Sequence, residues 1–371
     1  MITINRKALL AGILLNVFFL SFQSCKKEVS TSDNNIMPES FSVEIPASMS
    51  QPYTAQKMKT ASDDTINGGD IYANLGNFIN LGKGSAEIVQ AIVTTIHAYK
   101  LSQACAFSYV SADDGRSKNV NIIASSDFEN VNWEYEMTIT DAQSESSADS
   151  GKALQIFWNK NPVKGIAILK PYNINRATSS LYPDAMFRID YSEAGELGYD
   201  KHMIVSIAGL PLASPLIDPY SVNSLKMFAG KTGDVVDMYG NSNHPNAIFF
   251  TTNTGFDWAF AASGDLKADI GVAEVGLPPY QLNETSRKVL LEDYSIRNVF
   301  EEQIYALWPT IDSVSVNGYL HNTQAPGYFN NGGFVQGGTA PNSSYATIEG
   351  RIKNLSPYNP KDISEQVLNF K

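Results

Sequence analysis

The sequence predicts an α+β fold: a mainly antiparallel, curved β-sheet meander with two substantial helices covering one face. Residues 132–140 alternate apolar and polar side chains, which is typical of a half-buried antiparallel strand. Short strand-like runs follow at regular spacing, with Gly, Pro, Asn or Asp between most of them. Apolar residues recur at steps of three and four in 85–102 and in 285–307, which is the period of a helix.

The two predicted helices have recognisable ends. The first, residues 85–102, begins at a capping Ser85. The second, residues 285–307, follows a capping Asn283 and stops before Pro309. Because a sheet must bury its apolar face against another element, these two helices are the candidates to cover it.

The predicted strands are separated by turn signals. Asp113-Asp114-Gly115 predicts a turn between strands at 106–111 and 120–125. Further strands are predicted at 153–158, 163–170, 185–191, 202–208, 224–229, 234–239, 247–251 and 256–262. Beyond the second helix we expect a strand at 312–320, a long loop at 322–343 and a last strand at 345–353.

The first 25 residues have the form of an export signal. Arg6 and Lys7 precede an almost unbroken apolar stretch over residues 8–20, and Ser24 stands directly before Cys25. That stretch is too short to cross a hydrocarbon core of about 30 Å as a helix. The segment resembles the lipobox of a Bacteroidetes-type bacterial lipoprotein precursor.

The resemblance implies cleavage before Cys25, lipid on that Cys and a place in the outer membrane, facing the periplasm or the cell surface. Phe22 stands where the usual pattern has Leu. A plain secretory signal with a chance Cys is the alternative. We expect a signal peptide at 1–24, the lipidated Cys and a flexible tether at 25–66, and a β-rich globular domain at 67–371, with a subdivision near residue 271 as an option.

The composition restricts the partners. The 371 residues carry a formal net charge of −11 and are 43% hydrophobic, enough for a sizeable core. An acidic chain repels a phosphate backbone, which argues against a nucleic-acid partner. Membrane contact is therefore expected through the lipid alone.

No catalytic set is visible in the sequence. The four His residues lack metal-ligand spacing, so we expect no metal and no cofactor. Cys105 lies in an apolar setting, which predicts a buried structural thiol. Several carboxylates could in principle form a glycosidase pair: Asp113, Asp114, Asp190, Asp234, Asp237, Glu301 and Glu302.

Aromatic residues in or beside Pro/Gly/Asn loops are candidate ligand contacts: Tyr280, Tyr319, Tyr328, Phe329 and Phe334. The alternative is that they fold back into a satellite core. Two short motifs, at Asp64-Thr65-Ile66 and Asp312-Ser313-Val314, resemble the O-glycosylation pattern of Bacteroidetes exported proteins. They make Thr65 and Ser313 candidate glycosylation sites.

These observations predict a lipid-anchored, non-enzymatic lipoprotein of the outer membrane or cell surface that binds a glycan, an apolar ligand or a protein partner. A carboxylate-based glycan hydrolase is one alternative. A fimbrial or structural subunit is another, but the chain has no Arg between Cys25 and Arg116 for the processing cleavage of such precursors.

Overall fold

The structure, a computed structural model, describes residues 35–51, 66–179, 181–214, 220–247 and 255–371. The chain divides into two compact units. Of the described residues, the first unit holds 35–43, 84–211 and 367–371, and the second holds 44–83 and 212–366. The described parts of both units are built mainly from antiparallel strands with several helices, which confirms the predicted α+β class.

The sheet of the first unit is a meander in which each strand pairs antiparallel with the one before it. Its strands are β1 Cys105–Val110, β2 Ser117–Phe128, β3 Val131–Asp141, β4 Lys152–Lys160, β5 Val163–Leu169, β6 Met186–Ser192 and β7 Lys201–Ala208. The predicted turn connects β1 to β2, and Gly115 adopts φ +67° there, where a side chain would be strained. In β3, Trp133, Met137 and Ile139 are buried, as their spacing predicts.

The sheet of the second unit is also antiparallel, but helices lie between two of its paired strands along the chain. Its strands are β8 Ser224–Thr232, β9 Val235–His244, β10 Phe256–Asp265, β11 Ile270–Gly276, β12 Gly327–Asn330 and β13 Gly333–Gly337. The optional subdivision near residue 271 falls inside β11, and the units divide elsewhere.

Helix α1, Gly68–His97, begins well before the predicted start, and Ser85 lies inside it. Its glycines concealed the first half, because Gly lowers helix propensity. Two of them allow close packing instead. A Cβ at Gly82 would lie 2.6 Å from the Met227 side chain, and one at Gly76 would lie 2.9 Å from the Gln51 carbonyl. From the same half of α1, Phe78 packs edge-on against Trp258.

The predicted second helix is divided in two. A π-helix, Lys288–Asp293, is followed by α3, Ile296–Leu307, whose first turn is capped by Ser295. Since Asn283 precedes the π-helix by several residues, it does not cap it. The expectation that two helices cover one face of the sheet is not established by these elements.

Two predicted strands are wrong and are helices. The segment 312–320 forms α4, Ser313–Tyr319, because Asp312 accepts hydrogen bonds from the N–H groups of its first turn. The segment 345–353 forms α5, Ala346–Ile352, in which Ile348 and Ile352 are buried one turn apart. The remaining α-helices of the described residues are α2 Pro171–Ile174 in the first unit and α6 Pro360–Ser364 in the second.

Residues 35–51 are packed, which differs from the flexible tether predicted over 25–66. In the first unit, the Trp158 indole donates to the Ile36 carbonyl at 2.8 Å, and Phe41 is fully buried. In the second unit, Met49 is buried and Ser48 N–H donates to Asp269 at 2.8 Å. Apolar residues scattered among polar ones, without periodicity, give no signal of this packing.

Candidate ligand-binding cleft

The second unit contains an open cleft of about 430 Å³, a size within the range of small-molecule sites. Its lining is mostly charged or polar: Glu274, Arg287, Leu291, Glu292, Ser295, Ala325 and Lys353. This lining suits a polar ligand that can exchange many hydrogen bonds.

The π-helix Lys288–Asp293 forms one wall of the cleft. The Tyr294 N–H donates to the Val289 carbonyl, five residues earlier, at 3.1 Å. Leu290 and Leu291 are buried in an apolar cluster beneath this wall. The buried leucines fix the wall, while Glu292 next to them faces the cleft. Single π-turns of this kind occur frequently at functional sites.

Arg287 joins two carboxylates of the cleft. Its guanidinium donates to Glu274, which projects from β11, and to Glu292, at 3.1 Å, on the π-helix. Arg287 and Glu274 are largely buried, whereas the Glu292 side chain is 57% exposed. The Arg287 Nε–H is buried and has no hydrogen-bond partner in the described part of the chain. A ligand group entering here would meet Glu274 and Glu292 as two acceptors that the guanidinium holds in place.

The charge of Glu274 affects the pKa of a neighbouring tyrosine, Tyr72. Burial, and after it the negative charge of Glu274, raise the pKa of the Tyr72 hydroxyl well above its ordinary value. Tyr72 therefore stays neutral and contributes packing and a hydrogen-bonding hydroxyl to this part of the unit.

The arrangement suits binding better than acid–base hydrolysis. A glycosidase needs one carboxyl group that carries a proton for the leaving oxygen and a second that is ionised. Here one guanidinium bonds both carboxylates, so both are engaged as hydrogen-bond acceptors of the same side chain. Glu274 and Glu292 can therefore orient and accept from hydroxyl groups.

The carboxylates considered from sequence lie elsewhere, and none lines the cleft. Four of them form ion pairs: Asp114 with Lys118, Asp190 with Arg188, Asp237 with Arg351 and Glu301 with Arg297. Asp113 and Asp234 lie in turns, and Glu302 is exposed on α3. Turn geometry and ion pairing account for their placement.

The five candidate aromatic residues fall into two groups. Tyr328 and Phe329 on β12 are buried, at 1% and 2% exposure, and Phe334 stacks on Tyr72 with ring centroids 4.9 Å apart. Tyr280 and Tyr319 are exposed, on separate elements. Contact between a ligand and Tyr328 or Phe329 would require the core to open. The ligand-binding role of the five stays a prediction.

A buried Ser–His pair in the second unit has no counterpart in the sequence analysis. Ser242 Oγ lies 2.7 Å from His244 Nε2, and His244 Nδ1 lies 3.1 Å from the Tyr220 carbonyl, so an Nδ1–H tautomer accepts from the serine. Both side chains are fully buried against Phe78 and Trp258. Residues two apart on a strand give no catalytic signature. Without access for a substrate, the pair is a hydrogen-bonded core feature.

A second, much smaller pocket lies in the first unit. It is lined by apolar residues of α1 and β1–β3, among them Ile92, Phe107 and Ile139, and holds about 20 Å³. That is about the space of one water molecule. It is too small for an acyl chain.

Two modification candidates, Cys25 and Thr65, lie outside the described residues. Ser313 is exposed at the first position of α4. Cys105 begins β1 and is partly exposed, in contrast to the buried thiol predicted from its apolar neighbours, since successive residues of a strand alternate between its faces.

Among the residues that the structure describes, no helix combines the length and apolar character needed to cross a membrane. The described ranges also contain no cluster of three or more His, Cys, Asp or Glu side chains that could hold a metal ion. Comparison with known proteins found no matching family model, no matching curated protein and no matching solved structure.

Proposed function

We propose that this chain is an exported lipoprotein, anchored through lipid on Cys25 at the outer membrane or cell surface, that binds a glycan without hydrolysing it. The observation that carries the binding proposal is the open cleft in which Arg287 joins Glu274 and Glu292. Planar acceptors held in place by one guanidinium can each accept a hydrogen bond from a sugar hydroxyl.

Two alternatives rank below this proposal. A curved sheet covered on one face by two helices would favour an apolar ligand beneath the sheet. A glycan hydrolase is favoured by the presence of two carboxylates in one cleft and disfavoured by the guanidinium that they share.

The lipid anchor is tested at Cys25. We expect Cys25→Ser to release the protein from the membrane fraction, because the substitution removes the thiol that carries the acyl chains. The measurement is fractionation of cells without detergent, with Cys105→Ser as the matched control, which should stay membrane-bound. A Cys25→Ser protein that remains in the membrane fraction would contradict the anchor.

The cleft is tested with Arg287→Met, which keeps the length of the side chain and removes its donors. We expect glycan affinity, measured by calorimetry on a hit from a glycan array, to fall by about tenfold or more, since a hydrogen bond to a charged group contributes about 1.5–3 kcal/mol. Arg297→Met is the control, because that residue pairs with Glu301 outside the cleft.

Circular dichroism of both variants checks that they fold, and Glu292→Gln provides a second, more exposed substitution. Unchanged affinity in Arg287→Met and Glu292→Gln would exclude this cleft. Release of reducing sugar by the wild-type chain would favour the hydrolase, and binding of an apolar probe without any glycan would favour the apolar-ligand alternative.

A further inference from the structure

The first unit contains an aromatic surface site on its sheet. Trp133 on β3 and Phe157 on β4 are buried in one cluster with Ile166 and Ile168 of β5. Phe128 stacks on Phe157 with ring centroids 4.4 Å apart. This cluster presents an apolar floor to any chain that lies across it.

Beside the aromatic floor is a carboxylate that its own sheet already holds in place. Glu136 accepts hydrogen bonds from Ser126 at 2.5 Å, from Gln155 at 2.8 Å and from Thr138 at 3.0 Å. Its side chain is only 10% exposed. Burial opposes ionisation, but these bonds and a nearby ammonium hold the pKa of Glu136 below its ordinary value. A buried, oriented anion beside aromatic rings is a site for a cationic side chain.

The segment Val367–Lys371 occupies this site in its own chain. Phe370 packs on the aromatic cluster. The Lys371 ammonium donates to Ser126 at 2.6 Å and to Glu136 at 3.1 Å, and it lies 5.7 Å from the centre of the Phe157 ring. The main chain is held as well, because Lys371 N–H donates to Gln155 at 2.9 Å and the Lys371 carbonyl accepts from Lys152.

Little besides this site fixes the segment. Val367 is 76% exposed and Asn369 is exposed, and the contacts with the site come from Phe370 and from Lys371, whose side chain is 41% exposed. Phe370, the Lys371 ammonium and two hydrogen bonds of the Lys371 main chain hold this extended segment. The segment is not a strand of the sheet, so it can leave and return without unfolding the sheet below it. When it leaves, Glu136 loses its cation and the aromatic floor is uncovered, which favours replacement by an equivalent segment.

We propose that this aromatic–carboxylate site is an interaction surface for the segment Val367–Lys371 of a second copy of the chain, and that copies associate by exchanging this segment. The second copy supplies the same aromatic and lysine side chains that fit the site within one copy. The proposal is independent of the glycan cleft.

Within one copy the segment competes strongly, because its attachment to the same chain makes its return to the site an intramolecular event. Exchange in dilute solution is therefore masked in the wild-type chain. Two complementary variants remove this competition. The double variant Phe370→Ala/Lys371→Ala keeps an empty site and serves as acceptor. The Glu136→Lys variant repels Lys371 from its own site and serves as donor.

The experiment mixes full-length acceptor and donor chains that carry different tags, and it measures their co-purification. We expect acceptor and donor to co-purify, whereas each alone does not pair with a differently tagged copy of itself. The matched control is a donor that also carries Phe370→Ala, which keeps any association through lipid or detergent but lacks the aromatic side chain.

A second measurement does not depend on the donor variant. A labelled peptide of residues 364–371 is expected to bind the acceptor at least about tenfold more tightly than the wild-type chain, where the tethered segment competes. Adding Glu136→Gln to the acceptor should lower the affinity of the acceptor for the peptide. If the double variant fails to fold by circular dichroism, Lys371→Ala replaces it. Co-purification equal to the control, or no peptide binding to a folded acceptor, would overturn the proposal.

Discussion

Asp141→Asn is expected to destabilise the protein by about 3–5 kcal/mol, the usual cost of removing one partner from a buried ion pair. Asp141 is fully buried at the end of β3. Its carboxylate lies 2.7 Å from Arg116, 3.4 Å from Arg176 and 3.8 Å from the buried Lys118. The substitution keeps the shape of the side chain but leaves three cations facing a neutral amide.

The Asp141 carboxylate also makes the stability of the folded protein depend on pH in the acidic range. Burial raises the pKa of Asp141, but the hydrogen bond from Arg116 and the charge of Lys118 outweigh it and hold the pKa below its ordinary value. A carboxylate with a lowered folded pKa contributes stability that is present above its unfolded pKa and is lost as pH falls through the folded one. We therefore expect Asp141→Asn to cost less at acidic pH than at neutral pH.

Urea unfolding of wild-type and Asp141→Asn chains at pH 7 and in acid measures both effects. Asp127→Asn is a suitable control, because Asp127 lies on β2 and is exposed. A change in unfolding free energy no larger than that of the control would mean that the three cations do not depend on Asp141.

Asp257→Asn should have the opposite pH signature and stabilise the protein in mild alkali. Asp257 on β10 is fully buried in the second unit. Burial is the largest influence on its pKa and raises it to about 8, against the hydrogen bonds from Asn243 and from the N–H groups of His244 and Gln281. The second carboxylate oxygen has no hydrogen-bond partner among the described residues, so a protonated carboxyl or an amide fits this place better than a carboxylate.

The sign follows from proton counting. Between an unfolded pKa of about 3.9 and a folded pKa of about 8, the folded chain holds one proton more than the unfolded chain. Stability therefore falls as pH rises through this window, by about 1.4 kcal/mol per pH unit, and levels off above the folded pKa. The total change from this one group is several kcal/mol.

Denaturant unfolding at pH 5, 7 and 9, chosen around the pKa of about 8, measures how the free energy of unfolding changes with pH. Asp257→Asn should remove this contribution to the slope, and Asp293→Asn, at an exposed end of the π-helix, should leave it unchanged. Parallel pH profiles for the wild-type and Asp257→Asn chains would show that Asp257 is ionised in the folded protein.

Local sequence patterns predicted most strands between residues 105 and 265, but they missed β12 and β13, which lie inside the predicted loop at 322–343. The alternation over 132–140 and the turn at Asp113-Asp114-Gly115 each lie within a few residues, and both are found in the structure. The segments 312–320 and 345–353 also contain apolar residues at short spacing, but both form helices. The cap at Asp312 stabilises α4, and burial of residues one turn apart stabilises α5. Such competition between a cap and an alternating pattern is settled by tertiary packing.

The candidate cleft could not be predicted from the sequence. Arg287 lies inside the segment predicted as one regular helix, and nothing in its spacing indicates that it reaches Glu274 on β11. The contact depends on the π-helix and on the path of the chain between β11 and that helix. The signal and tether predictions rest on residues that, apart from 35–51 and 66, lie outside the described part of the chain.

The π-helix has a consequence for how the cleft could arise or be lost. A π-turn contains one residue more than the α-turn that it replaces, so it corresponds to a single inserted codon in an ordinary helix. Deleting Val289, which does not line the cleft, would restore α geometry in Lys288–Asp293 and turn everything after it by about 100° around the axis. Glu292 would then leave Arg287 while the buried leucines lose their register. A one-residue deletion in a related gene would accordingly abolish the cleft without altering any residue that lines it.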